Sequence, residues 1–480
     1  MRYALILLLV FAACRCESET LCAETLRSKT LRAGASAADI TPLHLPISMT
    51  GSFQDRKATG VHDRLHARCL VLDDGSTRIA FVICDSCLIP REIYDEAKES
   101  ASKKTGIPTS RILTAATHSH TAPTALKAAQ CSPDPRYIEY LTQQIAAAVV
   151  EANERLQPVE IGWGVVAVPD EVNNRRWFIK PEAKTANPFG RLDDQVKMNP
   201  PRGTGALIRA AGPVDPDVNF ISVRSTEGAP ISVLANYGLH YVGGISTGQL
   251  SADYFGEFAR QMADRLNGDE SFVGIMSNGT SGDVNNTRFL KPRPSAAPYS
   301  RMEAVASKVA DRVHEAHADV SYTDNATIGM SEREIELSVR KPDAADLERA
   351  RALLKNPADP LRLNMDELYA QESIRLQDSP PTVHMKLQTI VIDDLAIVAI
   401  PCEVFAEIGL EIKRRSPFKK TFVIELANGY NGYLPTPAQH ALGGYETWRS
   451  GWSYLETEAS TTITKTTLEM LKAIHAAQRE

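Results

Sequence analysis

Apolar residues fall along this chain in short runs separated by polar turns, and the two periods of that pattern predict an alternation of strands and helices. Residues 68–72 and 78–84 read as strands around the turn Asp73-Asp74-Gly75-Ser76. A helix is predicted over 91–105 and a strand over 111–116. Over 135–156, Ile138, Leu141, Ile145 and Val149 recur at a helical period. A strand at 159–168 leads into 173–217, which reads as irregular, rich in Asn, Pro and Gly; long stretches of that kind are often functional. Strands at 219–224 and 231–236 flank Thr226-Glu227-Gly228, followed by a helix at 252–266, a strand at 272–276 and a helix at 300–316. Residues 342–377 are helical and charged, punctuated by Pro357, Pro360, Pro380 and Pro381. They read as an insertion, at about 342–380, packed on the main domain, with a cap over a pocket as the alternative. Strands at 383–392 and 395–400 pair through Asp393-Asp394; a last strand (421–426) and a closing helix (457–478) follow. Alternating helices and strands, several of them antiparallel, predict an α/β fold: mixed β-sheets flanked by helices, sandwich-like, in a single large catalytic domain over 32–480.

The N-terminus breaks the pattern. Met1-Arg2 precedes an apolar run, residues 4–13, too short to span a bilayer comfortably, which predicts a signal peptide over 1–16, a flexible leader over 17–31 and a secreted or periplasmic protein. Ala12-Ala13-Cys14 resembles a lipoprotein cleavage site, but Phe11 stands where a smaller aliphatic residue is expected, which argues against anchoring through Cys14. No other run is apolar enough for a transmembrane span in the mature chain. A net charge of −6 leaves no footprint for nucleic acid. Beyond the signal region the cysteines are Cys69, Cys84, Cys87, Cys131 and Cys402, an odd number at irregular spacings from which no disulfide framework can be read. Oligomeric state leaves no trace in the sequence.

The chemistry enters through strand ends. His118 and His120, two residues apart after the 111–116 run, can point the same way and place a metal at a sheet rim. His240, the 278–283 turn, Glu403 and Tyr433 each also follow an apolar strand or lie in a glycine-rich turn. Each alone has a bland reading: His240 as a core histidine, Glu403 as a helix N-terminal acid, 428–433 as a turn with packed aromatics. Their repeated placement favours one site, since sheet-end loops gather. Imidazole and carboxylate suit a hydrolytic zinc ion, which lowers the pKa of a bound water to about 7.

With these residues in view, the chain resembles the neutral/alkaline ceramidases, zinc-dependent amidases that release a fatty acid from ceramide. The resemblance runs through Ala116-Thr117-His118-Ser119-His120-Thr121-Ala122-Pro123, Val172-Asn173-Asn174-Arg175-Arg176, Val214-Asp215-Pro216-Asp217, Asn236-Tyr237-Gly238-Leu239-His240 and Ser251-Ala252-Asp253-Tyr254. It continues through Gly282-Asp283-Val284-Asn285-Asn286, Pro401-Cys402-Glu403-Val404-Phe405 and Asn428-Gly429-Tyr430-Asn431-Gly432-Tyr433, in the family's order from about residue 32 to the end. It implies zinc ligation by His118, His240, Glu403 and Tyr433. It implies His120 beside the activated water and Arg175 against the scissile group. The residues themselves do not separate His118 from His120.

Two departures qualify the resemblance. Asn285 stands where the family has a serine after Gly-Asp-Val; asparagine cannot accept an acyl group but can donate a hydrogen bond to an oxyanion, so direct attack by zinc-activated water is the coherent version. Ser281 falls on a small residue of the family and takes no role. The resemblance also leads us to expect a chain lacking the family's C-terminal immunoglobulin-like domain. The expected function is a zinc-dependent amidohydrolase of a small-molecule or lipid N-acyl substrate. The alternatives are a metal-containing binding protein that has lost the reaction, or a hydrolase of another amide or an ester.

Overall fold

The computed structural model describes residues 30–292 and 295–478; the expected signal peptide and nearly all of the leader lie outside them. In chain order the main strands are β1 (Arg32–Asp39), β2 (His66–Asp73), β3 (Arg78–Cys84), β4 (Ile112–Ala116), β5 (Gln157–Ala167), β6 (Asp217–Ser225), β7 (Pro230–Tyr237), β8 (Val273–Asn278), β9 (Ile328–Ser338), β10 (Thr382–Ile392), β11 (Leu395–Ala399) and β12 (Lys420–Ile424). The main helices are α1 (Arg91–Thr105), α2 (Pro135–Glu154), α3 (Asp253–Leu266), α4 (Ser300–His317), α5 (Ala344–Leu354), α6 (Met365–Asp378), α7 (Ala406–Arg415) and α8 (Ala459–Ala477).

The first eight strands form one mixed sheet, ordered β8-β7-β6-β5-β1-β2-β3-β4, and the last four a second, ordered β9-β10-β11-β12. Their inner faces pack on each other. Along β3, Ile79, Phe81 and Ile83 join Ile397, Ala399, Phe422 and Ile424 of the second sheet in one core, while Ala80, Val82 and Cys84 point outward into a core with Ile93 and Ala97 of α1 and Leu141 and Ile145 of α2. Helices α3 and α4 cover the other half of that outer face, and α6, α7 and α8 cover the outer face of the second sheet. The result is the sandwich that the alternation predicts, in four layers. Strands buried on both faces carry continuous apolar runs instead of alternating ones, which is why they are visible in the sequence.

Three pairs of these main strands are parallel: β3 with β4, β7 with β8, and β11 with β12. Each is joined by a helical crossover, through α1, α3 and α7 respectively. Every residue singled out for metal chemistry follows the carboxyl end of one of these six strands. The site is thus built where three βαβ units bring their strand ends together.

Two expectations about elements change. The stretch 173–217 is not simply irregular: Arg176–Ile179 pairs with Val196–Met198 and Leu207–Ala210 in a small sheet, its strands too short and too interrupted to show periodicity. Strand β9 was not foreseen, because Ser331, Glu332, Arg333 and Glu334 mask it; it is an edge strand, where charge is tolerated. The predicted insertion comprises α5 and α6. Tyr369 of α6 packs edge-on to Trp448 and Trp452, so α6 braces an aromatic wall. All five cysteines expected beyond the signal region are buried and free. Among the described residues no helix is long and apolar enough to cross a membrane.

Candidate metal centre

His118 sits in a turn clamped to the end of β3: Thr117 N–H donates to Cys84 O (2.9 Å) and His118 N–H to Ser86 O (2.8 Å). His118 adopts φ +73°, a strained conformation of the kind that clusters at functional sites. Its Nδ1 lies 3.0 Å from the carbonyl oxygen of Cys87. His120 Nδ1 lies 3.0 Å from the carbonyl of Gly51, and its ring stacks on Tyr241. His240 Nδ1 lies 3.2 Å from the carbonyl of Ser281. A carbonyl only accepts, so each Nδ1 carries a proton, and each ring when neutral turns its Nε2 lone pair away from that carbonyl.

These lone pairs converge. His118 Nε2 is 3.2 Å from His120 Nε2 and 3.3 Å from Glu403 Oε2. The ligand atoms of His118, His240 and Glu403 all lie within 4.8 Å of one another. Glu403 Oε1 accepts from Tyr430 OH (2.9 Å), but Oε2 is buried and without a hydrogen bond. Acceptors packed together in this way repel unless a positive charge lies among them. Burial opposes a proton on His118, yet Cys87 and Glu403 push its pKa well above the ordinary imidazole value. Burial, with His118 and Arg175 nearby, holds His120 and His240 well below it. A metal cation meets the same demand. Donor atoms about 2.0–2.2 Å from one tetrahedral zinc stand about 3.3 Å apart, and the His118–Glu403 spacing matches. Cys87 Sγ approaches His118 at 3.7 Å, but on the Nδ1 side of the ring, away from Glu403.

Tyr433 is brought to the cluster by a two-residue parallel bridge, in which Glu403 and Tyr433 are register partners. Histidines from the first sheet and these two residues from beyond the second line a cavity of about 300 Å³, walled by Phe53, Tyr430, Tyr445 and Trp452.

The family model for neutral/alkaline non-lysosomal ceramidase, N-terminal, matches residues 31–326, more than half of the chain. The chain belongs to this family. The matched segment carries His118, His120, Arg175, His240 and Asn285, while Glu403 and Tyr433 lie beyond it. Membership supports a hydrolase acting on amide bonds. The fold is also that of two solved structures. The neutral ceramidase of Pseudomonas aeruginosa is 16% identical, with a TM-score of 0.69 over 93% of this chain and 75% of that one. A ceramidase complexed with C2 is 15% identical, with a TM-score of 0.70 over 93% and 76%. No curated protein matches the sequence.

The remaining residues of interest in this family member divide in two. Arg175 enters the cluster: its Nη2 donates to Tyr433 OH (3.0 Å) and to Gly282 O (2.8 Å), and its Nη1 lies 3.3 Å from His240 Nε2. Arg175 Nε donates to Glu446 Oε1 (3.0 Å), while Arg176 Nη1 donates to the other oxygen (2.7 Å), so one buried carboxylate anchors two buried guanidinium groups. Burial opposes the charge of Arg175, but Tyr433, Glu446 and Glu403 push its pKa upward. Asn285 stands apart. Its amide donates to Asn199 (2.6 Å), which borders the cavity, and its oxygen accepts from Thr287 N–H (2.8 Å). Glu446 carried no signal in the sequence. It lies in a short 3-10 turn, Tyr445–Thr447, after Gly443-Gly444, with no strand before it to mark it.

Proposed function

We propose that this protein is a secreted, zinc-dependent amidohydrolase of ceramide-like N-acyl amides. The observation that carries the reading is the convergence of His118, His120, His240 and Glu403, whose buried Oε2 has no hydrogen bond, on one cavity in a member of the ceramidase family. His118, His240, Glu403 and Tyr433 would hold the metal. When bound, a zinc ion supplies Lewis-acid polarisation of the amide carbonyl and activation of a water at neutral pH.

The chain's own groups do the rest. His120, its Nδ1 donating to Gly51, keeps Nε2 free to accept the proton of the attacking water and return it to the leaving nitrogen as the C–N bond breaks. Burial and His118 keep His120 unprotonated, as a base must be. Arg175, fixed by three hydrogen bonds from Nε and Nη2, offers permanent positive charge toward the developing oxyanion. The acyl and amine portions fall against the aromatic walls of the cavity. That cavity favours an enzyme over a binding protein with a closed structural metal, and the C2 complex of a structural neighbour supports a lipid amide as substrate. Asn285 is assigned the rim, where it holds Asn199.

The test is fatty-acid release from a panel of N-acyl substrates by protein of known zinc content. Activity that disappears on chelation, returns with zinc and is lost by at least about 100-fold in His118→Ala supports the reading. Protein without stoichiometric metal, or hydrolysis indifferent to chelation, overturns it.

A further inference from the structure

One buried acid takes no part in the reaction described. Glu425 immediately follows β12, is 0% exposed and does not line the cavity. Among the described residues it forms no ion pair. An uncompensated carboxylate in the interior is costly unless hydrogen bonds hold it. Its hydrogen bonds are specific. Oε1 accepts the Ser281 hydroxyl (2.6 Å); Oε2 accepts the N–H of Ser281 (3.2 Å) and the N–H of Val404 (2.7 Å).

Both partners lead to the metal cluster. Ser281 presents its carbonyl at 3.2 Å and its Oγ at 3.3 Å to His240 Nδ1. Val404 is the residue after Glu403. The two segments are also tied directly, Gly282 N–H donating to Val404 O (2.8 Å), and a Cβ on Gly282 would come within 2.5 Å of Glu403 O. With its hydroxyl hydrogen committed to Glu425, Ser281 Oγ turns a lone pair toward His240, reinforcing the tautomer that leaves Nε2 bare.

We propose that Glu425 is a positioning residue that, through Ser281 and the Val404 amide, sets His240 and Glu403 in mutual ligating orientation and so determines metal affinity. The proposal rests on the zinc reading above. A role confined to folding would change the stability of the metal-free protein; a positioning role changes zinc affinity beyond that.

The experiment measures zinc affinity of the full chain by competition with a chromogenic chelator, alongside the melting temperature of the metal-free form, for wild type, Ser281→Ala and Glu425→Gln. The amide of Glu425→Gln would make Ser281 an acceptor at that contact; Ser281→Ala removes the hydroxyl and decides alone if the other variant does not fold. The expected result is zinc binding weakened by about tenfold or more, with the metal-free melting temperature of Ser281→Ala within a few degrees of wild type. Affinities within about threefold of wild type overturn the proposal while leaving the zinc reading intact. Wild-type protein that binds no stoichiometric zinc overturns both.

Discussion

Each of the three clustered imidazoles is oriented by a backbone carbonyl from a segment remote in sequence: Cys87, Gly51 and Ser281. The Gly51 contact leaves no room for a side chain. Gly51 has φ +95°, and a Cβ there would lie 2.4 Å from the His120 ring. Gly51→Ala therefore displaces His120 without touching the other imidazoles. We expect bound zinc to be retained while kcat/KM for amide hydrolysis falls by about 10- to 100-fold, checked by metal analysis beside steady-state kinetics. Glu446 makes the complementary case, in which charge decides. Glu446→Ala strips the carboxylate from Arg175 and Arg176, leaving two buried cations, and should cost about 3–5 kcal/mol in urea denaturation of the metal-free protein. The histidines were legible because they follow apolar runs. The choice between His118 and His120 was not, because it depends on which lone pair faces Glu403, and that is set by carbonyls that leave no mark on residue type.

At the scale of elements, the parallel strand pairs explain what could be read. Strands β3, β4, β7, β8, β11 and β12 are largely buried on both faces, so they read as predominantly apolar runs and the polar residues after them stand out. The half-exposed edge β9 and the short strands within 173–217 bury too little to impose a pattern, and pairing partners far along the chain define them instead. Helix α6 is fixed locally: Asn364 accepts from Glu367 N–H (3.0 Å) and Glu367 returns a bond to Asn364 N–H (2.9 Å), a complete capping box. Because Tyr369 on this helix backs Trp452 in the cavity wall, the cap bears on the site as well as on stability. Asn364→Ala should lower stability by about 1 kcal/mol, measured by chemical denaturation.

Over the whole molecule, two kinds of charge govern stability. Burial, reinforced by Arg68, depresses His66 to about 4, and burial with Arg340 and Arg176 depresses His440 to about 3. In the unfolded chain both titrate near 6.5, so between that pH and their folded values the unfolded state binds more protons. Their contribution is complete above pH 6.5 and is lost as pH falls toward 4, by up to about 1.4 kcal/mol per pH unit for each group. Denaturation of metal-free protein at pH 7, 6 and 5 should show this loss, with a shallower slope in His66→Gln.

The other charge is the proposed metal. His118 and His240 follow strands of the eight-stranded sheet, and Glu403 and Tyr433 follow strands of the four-stranded sheet. A cation held by all four closes the sandwich at one edge and binds only when both sheets are folded and docked. Zinc at a thousandfold excess over its dissociation constant then adds about 4 kcal/mol to stability. In a protein of this size that is a rise in melting temperature on the order of 5 °C between chelator and zinc. Glu403→Ala should melt at nearly the same temperature in both, because one sheet's share of the ligands is broken. Equal melting of wild type with and without zinc would mean that no metal bridges the sheets, and the convergent imidazoles would then be balanced by the Arg175 guanidinium and a proton on His118.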